Sequence, residues 1–214
     1  LEGNAPDQPS GFNTREIDVE TELGPLARKF HCGVETLHRP EDLLREIAPI
    51  VAPAENSSRP QTIGGTVYTV NVAVETDYEY YALFNNQTTA LNYLSDLIAY
   101  ASVIYEREVG ARLQISYTKL WTGGASSDPW NANSSSAMLG EVLTYWNQNN
   151  SSVNRATVHM LSGKRLYSGV AYVGALCSNQ YGYGVSTSIQ GDFRISNPSI
   201  VWDIIVFSHE LGHN

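Results

Sequence analysis

Between residues 67 and 74 the chain alternates apolar and polar positions, with Tyr68, Val70, Val72 and Val74 on one face. That period of two predicts a β-strand. From residue 88 the period changes. Leu91, Leu94, Ile98, Ala101 and Tyr105 recur at helical spacing up to Gly110, so 88–109 reads as a long amphipathic helix with a glycine stop. Alternation returns at 112–120 through Leu113, Ile115 and Tyr117. A second helix is expected over about 136–147, and further strands at 157–161, 170–176 and 184–188, the last two separated by a Gly- and Tyr-rich turn. The run Ile200, Val201, Ile204, Ile205 and Phe207 reads as a buried final helix. Strands alternating with helices in this order imply an α/β fold with a mostly parallel sheet and helices packed on it.

The first 60 residues do not share this pattern. They hold 6 of the 13 Lys and Arg and 11 of the 22 Asp and Glu, and none of the 13 Tyr or 4 Trp. So charged a stretch cannot bury enough apolar area to fold alone, and it is expected to be ordered only where it docks on the body that follows. Residues 53–60, Pro-Ala-Glu-Asn-Ser-Ser-Arg-Pro, have the chemistry of a linker. Residues 39–47 read as one short helix with Pro and acids in its first turn. The expected division is 1–60, a front segment and linker, and 61–214, the body.

Charge and composition narrow the function classes. A net charge of −9 in 214 residues argues against a phosphate-binding surface and hence against nucleic acid as a partner. No stretch approaches the roughly 20 apolar residues of a membrane span. The chain begins at Leu1 with no charged-then-apolar leader. Sequons at Asn56, Asn86, Asn133, Asn149 and Asn150 are weak support for secretion in a chain this rich in Asn and Ser.

The chemistry is concentrated at the end of the final helix, where His209-Glu210-Leu211-Gly212-His213 spells HExxH. Positions i and i+4 share a helix face, so His209 and His213 can aim at one Zn2+. Glu210 lies beside them, where a general base would accept a proton from the attacking water. The alternative is a chance match among surface histidines. An apolar helix has little reason to place two His and a Glu together unless something there offsets their desolvation.

With this motif at the end of that strand and helix order, residues 61–214 resemble the metzincin metalloproteases, and within them the adamalysin or reprolysin branch. Residues 105–113 (YEREVGARL) are similar to the end of the family's first long helix, 158–163 (VHMLSG) to its third strand, and 169–177 (GVAYVGALC) to its edge strand. The resemblance implies the N-terminal subdomain of such an enzyme: a five-stranded, mostly parallel twisted sheet with an antiparallel edge strand, two long helices and the active-site helix. It implies a secreted or extracellular zinc endopeptidase with protein or peptide substrates. It also implies a third histidine six residues after His213, beyond Asn214, and a later Met-turn, whereas Met138 and Met160 both precede the motif. The 214-residue chain by itself is therefore expected to be inactive, since two imidazoles hold zinc weakly. In the family, an extended peptide adds to the edge strand as an antiparallel partner. Here that strand would include Val170, Ala171, Tyr172, Val173 and Gly174, unless it is an ordinary sheet edge.

Two cysteines complete the candidate chemistry. Cys32-Gly33-Val34 resembles the cysteine switch of metalloprotease zymogens, which makes Cys32 an inhibitory zinc ligand and the front segment a prosegment docked on its own catalytic domain. A Cys32–Cys177 disulfide and two unpaired thiols remain open, and the resemblance implies a partner for Cys177 after residue 214. His31 and His38 are expected to be solvated, and His159 to be packed in the core. Two functions of different kinds follow: a zinc-dependent endopeptidase, or a non-catalytic binding or inhibitory module of the same fold with a structural zinc. Glu210 separates them, because a structural site needs no base.

Overall fold

The computed structural model describes residues 31–32, 66–194 and 201–214. The expected helix at 39–47 and the linker at 53–60 lie outside these. Five strands of the body are β2 (Tyr68–Thr76), β3 (Ala111–Lys119), β4 (Thr157–Leu161), β5 (Ser168–Ala171) and β6 (Tyr183–Ser186). A sixth, β1 (His31–Cys32), comes from the front segment. The sheet runs β1-β5-β6-β4-β2-β3. Strands β3, β2, β4 and β6 are mutually parallel, β5 is antiparallel to β6, and β1 is parallel to β5. The body thus has the five-stranded, mostly parallel sheet with an antiparallel outer strand that its sequence implied.

Helix α1 (Tyr78–Ala82) leads into α2 (Gln87–Val109); α3 is Ser135–Asn149 and α4 is Trp202–His213. Asn86 caps α2, its side chain accepting from Thr89 N, and Gly110 ends it in the left-handed conformation at φ 67°. Alternation along β2 separates two cores. Val72 and Val74 join Leu94, Leu97 and Ile98 of α2 and Val206 and Phe207 of α4 on one face. Ala73 joins Leu139, Val142 and Trp146 of α3 on the other. The α1 turn, five residues long, shows no helical period in the sequence. Its signal is Asp77, which caps the helix through Tyr80 N and also accepts from Gly163 N at 2.9 Å and from the Ser162 hydroxyl.

Glu75, wholly buried on β2, accepts from Trp121 Nε1 at 2.8 Å and Trp146 Nε1 at 3.0 Å. Burial pushes its carboxyl up from 4.5 to about 7, against the opposing pull of the two indoles. The folded state therefore holds this proton more tightly than the unfolded chain. The stability it contributes is complete below about pH 4.5 and is lost as pH rises through about 7. Thermal melts between pH 5 and 8 should show Tm falling more steeply in the wild type than in Glu75→Gln. Parallel slopes would show that Glu75 does not titrate in this window.

Candidate active site

Helix α4 forms because Trp202, Ile204, Val206, Phe207 and Leu211 are buried against α2 and the sheet, each apolar side chain contributing about 1.5–3 kcal/mol. Its start is tied down by Asp203, which accepts from Tyr93 Oη at 2.5 Å and from Gln190 N and Gly191 N at 3.0 Å. Midway, Tyr105 Oη donates to Ser208 O at 2.7 Å. In its last described turn, Gly174 N donates to His213 O at 2.7 Å and Leu176 N to Asn214 O at 2.8 Å.

On the outer face of this helix His209 and His213 converge, with their Nε2 atoms 3.1 Å apart. Two nitrogens bound to one tetrahedral Zn2+ would stand about 3.3 Å apart, so the pair fits that ion closely. Partial burial lowers both pKa values, with the neighbouring His209 adding to the effect on His213; the neutral ring is the ligand form. Among the described residues no group of three His, Cys, Asp or Glu forms a complete ligand set.

Glu210 turns the other way, inward beneath β5. It is fully buried, and neither carboxylate oxygen has a hydrogen-bond partner. Burial pushes it up to about 8. The space it occupies exists because residue 169 is glycine: a Cβ built there would lie 2.5 Å from Glu210 Cγ and 2.6 Å from Cδ. Both oxygens of this carboxyl are thus buried without a partner one residue along the helix from His209, a state that few buried polar atoms show.

The front segment reaches this place through its backbone, with Cys32 in register with Gly169 and His31 with Ser168. Gly169 thus faces Glu210 while pairing with Cys32. Among the described residues Cys177 is exposed and has no disulfide partner. His159 packs edge-on against Phe207 with ring centroids 4.7 Å apart, and its Nε2 pairs with Ser186 Oγ at 2.8 Å. Burial holds its pKa at about 3, which makes it the neutral core residue expected.

The candidate substrate strand needs correction. The ladder spans Ser168–Ala171 and not 170–176. Val170 and Ala171 lie in it, while Tyr172, Val173 and Gly174 lie past its end. The reason is competition for backbone amides: beyond Ala171 the chain turns at Gly174, with φ 67°, and spends Gly174 N and Leu176 N on capping α4. Of the residues that shape the site, Gly169 shows in the sequence only as the first residue of the 169–177 edge-strand pattern, and Asn214 carries no sequence signal of its own.

The family model described as metallo-peptidase family M12, of the reprolysin type, matches residues 66–214. The chain belongs to this family. It is a reprolysin-like metzincin, and the described fold is that of the family's N-terminal subdomain. No curated protein matches the sequence. Among solved structures, one titled as a chaperone–substrate complex is similar at a TM-score of 0.49 and 15% identity, over 69% of this chain and 24% of that one. This chain spans about a quarter of that protein's length, and so slight a likeness supports no inference.

Proposed function

We propose that the protein is a secreted zinc-dependent endopeptidase and that residues 1–60 are its prosegment and linker. The observation that carries the reading is the His209–His213 pair at a tetrahedral bite beside a buried, unpartnered Glu210, in a chain of a metallopeptidase family. His209 and His213 would hold the ion, with a third ligand from outside the described residues. When bound, Zn2+ polarises the scissile carbonyl and lowers the pKa of the attacking water. Glu210 takes the proton from that water and delivers it to the leaving amine. Burial beneath β5 raises the proton affinity of this carboxyl, and no group there donates a hydrogen bond to its oxygens. A non-catalytic module of the same fold would have no use for it.

Peptide substrates would add along β5 through main-chain hydrogen bonds. The pairing of His31–Cys32 on that strand supports the prosegment reading. It runs parallel to β5, whereas a substrate is expected to run antiparallel, so His31–Cys32 and a substrate would lie along that strand in opposite directions. Cys32, in register with Gly169, is proposed as the donor of an inhibitory thiolate to the same ion.

Metal-loaded protein should resist iodoacetamide at Cys32 until a chelator is added, since a metal-bound sulfur no longer attacks. Full-length protein freed of its front segment should cleave a denatured protein, with loss of activity on chelation. Rapid alkylation of Cys32 with Zn2+ bound would remove the switch, and hydrolysis indifferent to chelators would remove the metalloprotease.

A further inference from the structure

We infer that Asn214 is a positioning residue for the candidate metal centre, fastening the end of α4 to three strands and thereby fixing where His213 points. The inference rests on reading His209 and His213 as ligands.

The side chain of Asn214 uses both ends of its amide. Its Oδ1 accepts from Thr157 Oγ1 at 2.8 Å, and its Nδ2 donates to Tyr172 O at 2.9 Å and Tyr183 O at 3.1 Å. Thr157 opens β4, Tyr183 opens β6, and Tyr172 follows the end of β5. The two carbonyls fix the amide's orientation, because only the NH2 end can face them. Few side chains meet this demand. Asp has no donor for the carbonyls, Ser offers only one hydrogen, and Gln carries an extra methylene that would push the amide past its partners.

The consequence falls on the preceding residue. The carbonyl of His213 is held by Gly174 N, while the Asn214 amide ties the same turn to the first residues of β4 and β6 and to Tyr172 after β5. The separation of the two Nε2 atoms depends on the geometry of this last turn. By anchoring the residue next to His213, Asn214 gives that ligand a fixed mount, as partners behind metal ligands commonly do.

Zn2+ titration of the protein against a competing chelator, alongside thermal melts, tests this. Asn214→Ala should weaken Zn2+ affinity about tenfold. Asn214→Asp should weaken it at least as much, because a carboxylate oxygen would then oppose two carbonyls. Thr157→Val removes only the hydroxyl that holds Oδ1 and should give a smaller loss in the same direction. Leu139→Ala, a core truncation in α3, should lower Tm while leaving affinity within about twofold of wild type. Wild-type affinity in both Asn214→Ala and Thr157→Val would overturn the inference, as would an equal loss in Leu139→Ala. Should Asn214→Ala fail to fold, Thr157→Val decides alone. A wild-type protein that takes up no Zn2+ would overturn the ligand reading and this inference together.

Discussion

Replacing Glu210 by Gln is expected to leave Zn2+ binding intact and to lower peptide-bond turnover by about 10²–10⁴-fold. Gln reproduces the shape of Glu in the space beneath β5 but accepts no proton. It also removes an ionisable group that is fully buried with both oxygens unpartnered, so stability should hold or rise while activity collapses. That opposition separates a functional residue from a structural one. The measurement is hydrolysis of a denatured protein by the full-length, front-segment-free form, with metal content and Tm taken on the same samples. Near-wild-type hydrolysis would strike Glu210 from the mechanism.

A comparable loss is expected from a single methyl group. Gly169→Ala puts a Cβ where it would lie 2.5 Å from Glu210 Cγ, inside the closest approach two carbons tolerate. The β5 backbone cannot easily yield, because Gly169 pairs with Ser186 on one side and Cys32 on the other. Glu210 must swing instead. The strain of such overpacking is about 1–3 kcal/mol, which a domain of this size should survive, whereas a base displaced by an ångström loses turnover about 10²-fold. Zn2+ affinity should change little, since His209 and His213 lie on the outer face. Full activity in Gly169→Ala would show that Glu210 does not work from beneath β5.

Much of the architecture could be read from periodicity because the elements are long and half-buried. The 23 residues of α2 carry several turns of apolar spacing, and β2 alternates Val72 and Val74 against Ala73 between two cores. The HExxH spacing likewise gave the histidine pair its common face. What could not be read depends on contacts distant in sequence. Strand β1 has two residues and exists only by pairing with β5, so no local period announces it. The end of β5 is set by amides that α4 claims, and β-propensity at Tyr172 and Val173 gives no hint of that competition. The five residues of α1 are too few to show a helical period and hang on one side-chain cap at Asp77. The pocket of Glu210 depends on the missing side chain at Gly169, which a sequence records only as one more glycine.

The two-residue pairing of β1 with β5 is weak taken alone, and its strength lies in connectivity. Joined to the body through the stretch that reads as a linker, His31–Cys32 meets its strand at an effective concentration in the millimolar range, set by chain length and not by protein concentration. A cut anywhere between Cys32 and β2 would turn that encounter into a bimolecular one. At micromolar protein the released segment would then be diluted about a thousandfold relative to its tethered state, and the groove would empty without any change in the contacts themselves. Were residues 1–60 the proposed prosegment, latency held in this way would be timed by cleavage of the linker and, once the pieces had diffused apart, would not return.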